Sequence, residues 1–150
     1  MRQTIPMILI RVIVGLVFVT EGFLKFLRPE ELGSGRFAAI GLPYPHILAP
    51  IVGGVEIGAG AMVLFGIYAG DAALLLLLVI VAALVTTKLP ILFGHPLGPF
   101  PLAKLTRYGW LSFLHEARTD LCMVASTLAV LVDSGLKVGR RRHWYQSKEL

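Results

Sequence analysis

The chain has 150 residues, of which 56% are apolar and 15% charged, with a mean hydropathy of +0.78. Soluble domains carry about 45–50% apolar and about 25% charged residues, and a short chain has proportionally more surface to cover with polar groups. A disordered chain, an ordinary cytosolic enzyme and a nucleic-acid-binding domain are therefore excluded, and the class that remains is an integral membrane protein. The net charge of +5 does not reverse this. Arg140, Arg141 and Arg142 sit together after the last apolar segment, where such a cluster reads as a cytoplasmic anchor beside anionic headgroups. The single cysteine, Cys122, rules out an internal disulfide, a Cys-x-x-Cys redox pair and a Cys-based metal cage.

Four apolar stretches follow in chain order, over residues 5–27, 47–68, 72–93 and 117–136. Each is close to the ~20 residues a helix needs to cross a ~30 Å hydrocarbon core. The predicted fold is an all-α integral membrane four-helix bundle, read as one membrane domain over residues 1–150 with a basic tail at 137–150. The first stretch is an uncleaved helix: it carries Arg11, Glu21 and Lys25 and lacks a small-x-small cleavage site. On it Arg11, Gly15, Phe18, Gly22 and Lys25 recur at helical spacing and share a face. Glu21 borders that face and is predicted to reach Lys25 at i,i+4.

The second stretch carries Glu56 near its middle, with Ala49, Gly53 and Gly60 on the same face. Gly54 and Gly58 make a second small face of the GxxxG kind. Ala69-Gly70-Asp71 is the predicted hairpin turn, with Asp71 capping the third helix. Residues 72–85 of that helix include no polar side chain, and Lys88 lies near its end. The proline-rich stretch 96–102 is too apolar for a free linker and is expected to lie in the membrane interface or to fold back on the bundle. On the fourth helix Asp120, Thr127 and Ser134 share a face, and Asp133 with Lys137 forms a predicted interfacial pair. Four spans put both termini on one side. The basic tail and Arg2 favour the cytoplasmic face of the plasma membrane.

Charges inside the spans carry the most information, because each costs ~2.5–3.5 kcal/mol on insertion scales and so faces the interior and pairs. At a rise of ~1.5 Å per residue, Arg11 sits ~9 Å and Glu56 ~16 Å above the same boundary, which predicts a deep Arg11–Glu56 pair. Glu21, Lys25, Lys88 and Asp120 form an outer polar cluster, with His115, Glu116 and Arg118 at its mouth. Each group also has a bland reading. Ion pairs can fix helix register, lysines near helix ends can snorkel to headgroups, and glycines can be packing surfaces. His46, His95 and His143 lie in loops or tail and His115 at a helix boundary, which argues against haem held between helices. No carboxylate–histidine spacing suggests a metal site.

These motifs resemble the DoxX family of small four-helix membrane proteins of bacteria and archaea. The resemblance rests on Arg11-x3-Gly15-x2-Phe18-x3-Gly22-x2-Lys25, on Gly41-Leu42-Pro43-Tyr44-Pro45, and on Glu56-x3-Gly60 with Gly66. Thr87-Lys88 extends it, and Arg118, Asp120 and Gly135 fit it more loosely in the fourth helix. The ending Gly139-Arg140-Arg141-Arg142-His143-Trp144 and the long proline-rich loop depart from the family pattern. The family takes its name from a subunit of a thiosulfate:quinone oxidoreductase, and other members are associated with membrane redox or thiol-stress systems. The resemblance implies proximity to a quinone rather than a particular substrate.

The expected function is a quinone-interacting subunit of a membrane oxidoreductase. Arg11 donates hydrogen bonds and Glu56 exchanges protons as the catalytic pair. Gly15, Phe18, Gly22, Lys25, Gly53, Gly60 and Lys88 line the ligand cleft, and Glu21, His115 and Asp120 form the outer cluster. Electrons come from a soluble redox partner, since the chain has no flavin, iron–sulfur or haem motif. The expected partners are the lipid bilayer, a quinone, that redox subunit and further copies of the chain, with no metal and no nucleic acid. Two other readings stand beside this one: a non-catalytic anchor or scaffold for a partner, and a carrier of a small solute or lipid.

Overall fold

The computed structural model describes the backbone of residues 4–146 and side chains through residue 135. It is all-helical. In chain order the elements are α1 (Ile5–Leu27), α2 (Pro29–Leu32), α3 (Ser34–Ala39), α4 (Pro45–Phe65), α5 (Ala69–Thr87), α6 (Leu89–Phe93) and α7 (Trp110–Gln146). Three segments among the described residues are long and apolar enough to cross a bilayer: Ile5–Leu27, Pro45–Phe65 and Ala69–Phe93. In hydrocarbon every backbone N–H and C=O must be satisfied within its own segment, and a helix does this. The fourth long helix, α7, carries Arg118, Asp120 and Asp133 and buries the stripe Ala117, Met123, Thr127 and Val130.

The four long helices close into a ring: α1 packs on α4, α4 on α5, α5 on α7, and α7 back on α1. The core is filled by Val14 and Phe18 of α1, Ala59 and Val63 of α4, Ala72, Ala73, Leu76 and Ile80 of α5, and Met123 and Val130 of α7.

Several helix boundaries differ from expectation. The first stretch ends where predicted, but α4 stops at Phe65 rather than residue 68. Gly66 takes φ +77° there, and the Gly66 and Ile67 amides bond Val63 O at 3.2 Å and Met62 O at 2.9 Å. That is a Schellman ending, which satisfies carbonyls left over at a helix C-terminus. The hairpin turn is therefore residues 66–68. Asp71 lies in the first turn of α5 and makes no side-chain cap, though its charge still suits the positive end of the helix dipole. The third stretch breaks after Thr87 and resumes as α6, because Pro90 has no N–H to bond the carbonyl four residues back. At the other end, α7 extends beyond the predicted 117–136 in both directions.

The proline-rich stretch packs against the preceding loop. Gly41 abuts the carbonyl of Pro99 so closely that a Cβ there would collide with it, and Leu97 and Phe100 form an isolated antiparallel bridge. The Gly109 amide bonds Ile91 O at 3.0 Å. The start of α1, the 66–68 turn and the distal part of α7 share one end of the bundle, as the Arg11–Gly66 and Gly70–Ser134 contacts require. The segments around 28–44 and 94–109 share the other end. Arg2 and the side chains of Lys137, Arg140, Arg141, Arg142 and His143 lie outside the described residues, and with them the basic-tail reading and the Asp133–Lys137 pair.

Candidate functional site

The site is built on the seam between α1 and α4. A Cβ on Gly22 would lie 2.6 Å from Gly53 O, and one on Gly15 would lie 2.8 Å from Gly60 O and 2.7 Å from Leu64 Cβ. The backbones therefore touch, running antiparallel with Gly15 opposite Gly60 and Gly22 opposite Gly53. The predicted faces are right, since Arg11, Gly15, Phe18 and Gly22 are buried on α1 and Ala49, Gly53, Glu56 and Gly60 on α4. The predicted open cleft between them is not present. Gly15, Gly22, Gly53 and Gly60 form a closed helix–helix contact, and Phe18 belongs to the core.

The predicted ion pairs are exchanged. Lys25 Nζ lies 2.6 Å from Glu56 Oε2, with both side chains almost completely enclosed. Arg11, also buried, donates from Nε to Val63 O at 3.0 Å and lays its guanidinium against Gly66. The expected Arg11–Glu56 pair is thus corrected, and so is the Glu21–Lys25 pair, since Glu21 is exposed and Lys25 is engaged across the seam.

Side-chain direction explains the exchange. In a helix each side chain leans toward the N-terminus of its own helix. On antiparallel helices Lys25 leans back along α1 while Glu56 leans the opposite way, so their heads converge. Arg11 leans away from Glu56, toward the C-terminal end of α4, whose carbonyls form the negative end of a helix dipole and favour a cation.

Beside the Lys25–Glu56 pair lies a cavity of about 420 Å³. Its walls are Leu48 and Val52 of α4 and Leu78, Val79, Ala82 and Ala83 of α5, and it is roofed by Leu32, Arg36, Phe37, Ile40 and Leu42 from the α2–α3 segment. Thr86 and Thr87 also line it, but their hydroxyls already donate to α5 carbonyls: Thr86 to Ala82 O at 2.9 Å, Thr87 to Ala83 O at 2.7 Å. Lys25, Glu56 and Arg36 are the charged groups in the lining. Of the other predicted site residues, Arg11, Gly15, Phe18, Gly22, Gly53, Gly60 and Lys88 do not line the cavity.

The outer cluster is assembled in part. Lys88 Nζ is 3.8 Å from Glu116 Oε2, and Asp120, half-buried, interacts electrostatically with Lys88, Arg36 and Glu21. His115 is exposed, and its carbonyl accepts a hydrogen bond from Arg118. Among the described residues no cluster of three or more His, Cys, Asp or Glu side chains could hold a metal ion.

The roof residues lie between the first two apolar stretches and carry no long apolar run of their own. Their available signal is the spacing of Leu32, Arg36, Phe37 and Ile40 at offsets of four, five and eight, one face of a helical path interrupted only near Gly33.

Comparison with known proteins places the chain in a family. The DoxX family model matches residues 7–89, which include most of α1, all of α4, and Lys25 and Glu56. The chain is 42% identical over 124 residues to "Uncharacterized membrane protein Rv3486" of Mycobacterium tuberculosis, covering 83% of this chain and 72% of that protein. It is 33% identical over 83 residues to "Putative oxidoreductase CatD" of Bacillus subtilis, covering 55% of this chain and 59% of that protein. No solved structure matches the chain.

Proposed function

The chain belongs to the DoxX family, and we propose that it is a quinone-interacting membrane subunit of an oxidoreductase system, with the quinone head in the cavity beside Lys25 and Glu56. One observation carries the reading. A cavity of about 420 Å³ that is apolar over most of its wall holds a buried ammonium–carboxylate pair in contact with it. Small-molecule pockets have this form: about 300–1,000 Å³, mostly hydrophobic, with a few polar groups that fix orientation. The name of the Bacillus subtilis relative is consistent with a redox role.

A bound quinone supplies two-electron, two-proton redox chemistry, and this chain's residues supply the setting. The Lys25 ammonium has three N–H donors; one faces Glu56, and the others are free to bond a ring carbonyl oxygen. Glu56, within hydrogen-bond reach of the same space, accepts or releases a proton as the ring changes its charge. The apolar wall holds the ring and the first part of its chain away from water. Electrons arrive from a partner protein, and the termini lie at the cytoplasmic face of the plasma membrane. In this reading Arg11 is a structural clamp on α4.

The test is saturable binding of a short-chain ubiquinone or menaquinone analogue to the detergent-purified protein. Binding is expected for the wild type, weakened about tenfold or more in Glu56→Gln, since hydrogen bonds to charged groups contribute about 1.5–3 kcal/mol. Absence of binding by folded wild-type protein would contradict the proposal and favour an anchor role.

A further inference from the structure

We propose that the cavity selects amphiphiles whose head carries an ionised acidic group, with Arg36 as the residue that recognises the anion; this rests on the reading of the cavity as the ligand site. The charges in its lining do not balance. Lys25 and Glu56 neutralise each other at 2.6 Å. Arg36 is a second cation on the roof, and among the described residues its side chain has no ion pair or hydrogen bond. Asp120 interacts with it electrostatically but lies beyond ion-pair distance, so the guanidinium keeps its fork of N–H donors. Thr86 and Thr87 have spent their hydroxyl hydrogens on α5 carbonyls. The uncommitted donors facing the cavity are therefore cationic.

The rest of the lining fits an apolar body. Leu48, Val52, Leu78 and Val79 form its sides, and Leu78, Ala82 and Ala83 are exposed on the outer surface of the bundle. The cavity thus opens sideways at the level of α5, the direction from which a lipid-soluble molecule arrives. Arg36 is exposed and stands at the water-facing rim of the cavity; a neutral head gains only a hydrogen bond from its guanidinium, whereas an anion adds the attraction of opposite charges to that bond. Two kinds of ligand share this chemistry: a quinone with an ionised ring hydroxyl, and a membrane fatty acid.

Equilibrium binding to the full chain in neutral detergent, at a pH where both acids are ionised, separates these. One pair of probes is an undecyl naphthoquinone and its ring-hydroxylated counterpart; the other is dodecanol and dodecanoate. In at least one pair the anion is expected to bind wild type about tenfold tighter than its neutral partner, the size of a charge-assisted hydrogen bond. That preference disappears in Arg36→Gln and persists in Arg36→Lys. The pair that shows it identifies the source of the ligand. No preference in either pair, or a preference that survives Arg36→Gln, overturns the inference. Saturable binding of both naphthoquinones without preference, together with no preference for dodecanoate over dodecanol, overturns it while leaving the quinone function intact. Preference for dodecanoate with neither naphthoquinone bound supports it and overturns the quinone function.

Discussion

Two cations on α1 meet different fates within the same seam. Lys25 is held by a carboxylate, and Arg11 by a carbonyl at the end of α4. For the buried pair, removing one partner leaves a charge in a poorly solvated place, which costs about 3–5 kcal/mol, whereas replacing both by uncharged groups is often close to neutral. Glu56→Ala is accordingly expected to lower detergent-state stability by about 3 kcal/mol, read by thermal or denaturant unfolding. The double variant Lys25→Met, Glu56→Gln should recover most of that loss. A double-mutant cycle sharpens the assignment: Lys25 and Glu56 should couple strongly, while Arg11 and Glu56 should be additive within about 0.5 kcal/mol. Strong coupling of Arg11 with Glu56 would return the pairing to the one the sequence suggested.

At the scale of the element, the α1–α4 seam depends on glycines that have no room for a side chain. Gly22 faces Gly53 O and Ile57, so Gly22→Ala must push two helix backbones apart, an overpacking that costs about 1–3 kcal/mol. Gly54 and Gly58 have nothing within 4 Å of a built Cβ. Gly58→Ala should therefore be neutral or stabilising, because glycine within a helix is worse than alanine by about 0.5–1 kcal/mol. Unfolding midpoints of the two variants check this, and equal losses would mean that the helices pack on different faces.

These faces were legible because helical spacing alone puts Arg11, Gly15, Phe18 and Gly22 together, and Ala49, Gly53, Glu56 and Gly60 together. The partners across the seam were not. Depth along the membrane places residues on a scale, but pairing also depends on register and on the lean of each side chain. The hairpin turn was misplaced by three residues because Gly66 at positive φ ends α4, while the sequence drew attention to Asp71 as a cap.

For the whole molecule, the bundle separates an end that carries the start of α1, the 66–68 turn and the distal part of α7 from an end that carries the roofed cavity. Three of the four long helices could be read from apolar length alone. The cavity could not, because its roof comes from a segment without a long apolar run, and its two walls are brought together only when α4 and α5 pack. Tyr68 is exposed at the first end and Tyr44 at the other, a distribution that suits the two interfaces of a bilayer. With Cys122 replaced by Ser, Tyr68→Cys is predicted to react with a membrane-impermeant thiol reagent only when the cytoplasmic face is exposed. Tyr44→Cys should react from outside intact cells. The reverse pattern would invert the orientation proposed above.

The proposed function requires that a quinone enter the cavity beside Lys25 and Glu56. Photocrosslinking with a short-chain azidoquinone, followed by peptide mapping of the adducts, tests that directly. Adducts are expected on the cavity lining, at Phe37, Val52 and Leu78 in particular, and competition by unlabelled quinone should remove them. Adducts spread evenly over the lipid-facing helices, or gathered at the Arg11–Gly66 end, would contradict the site.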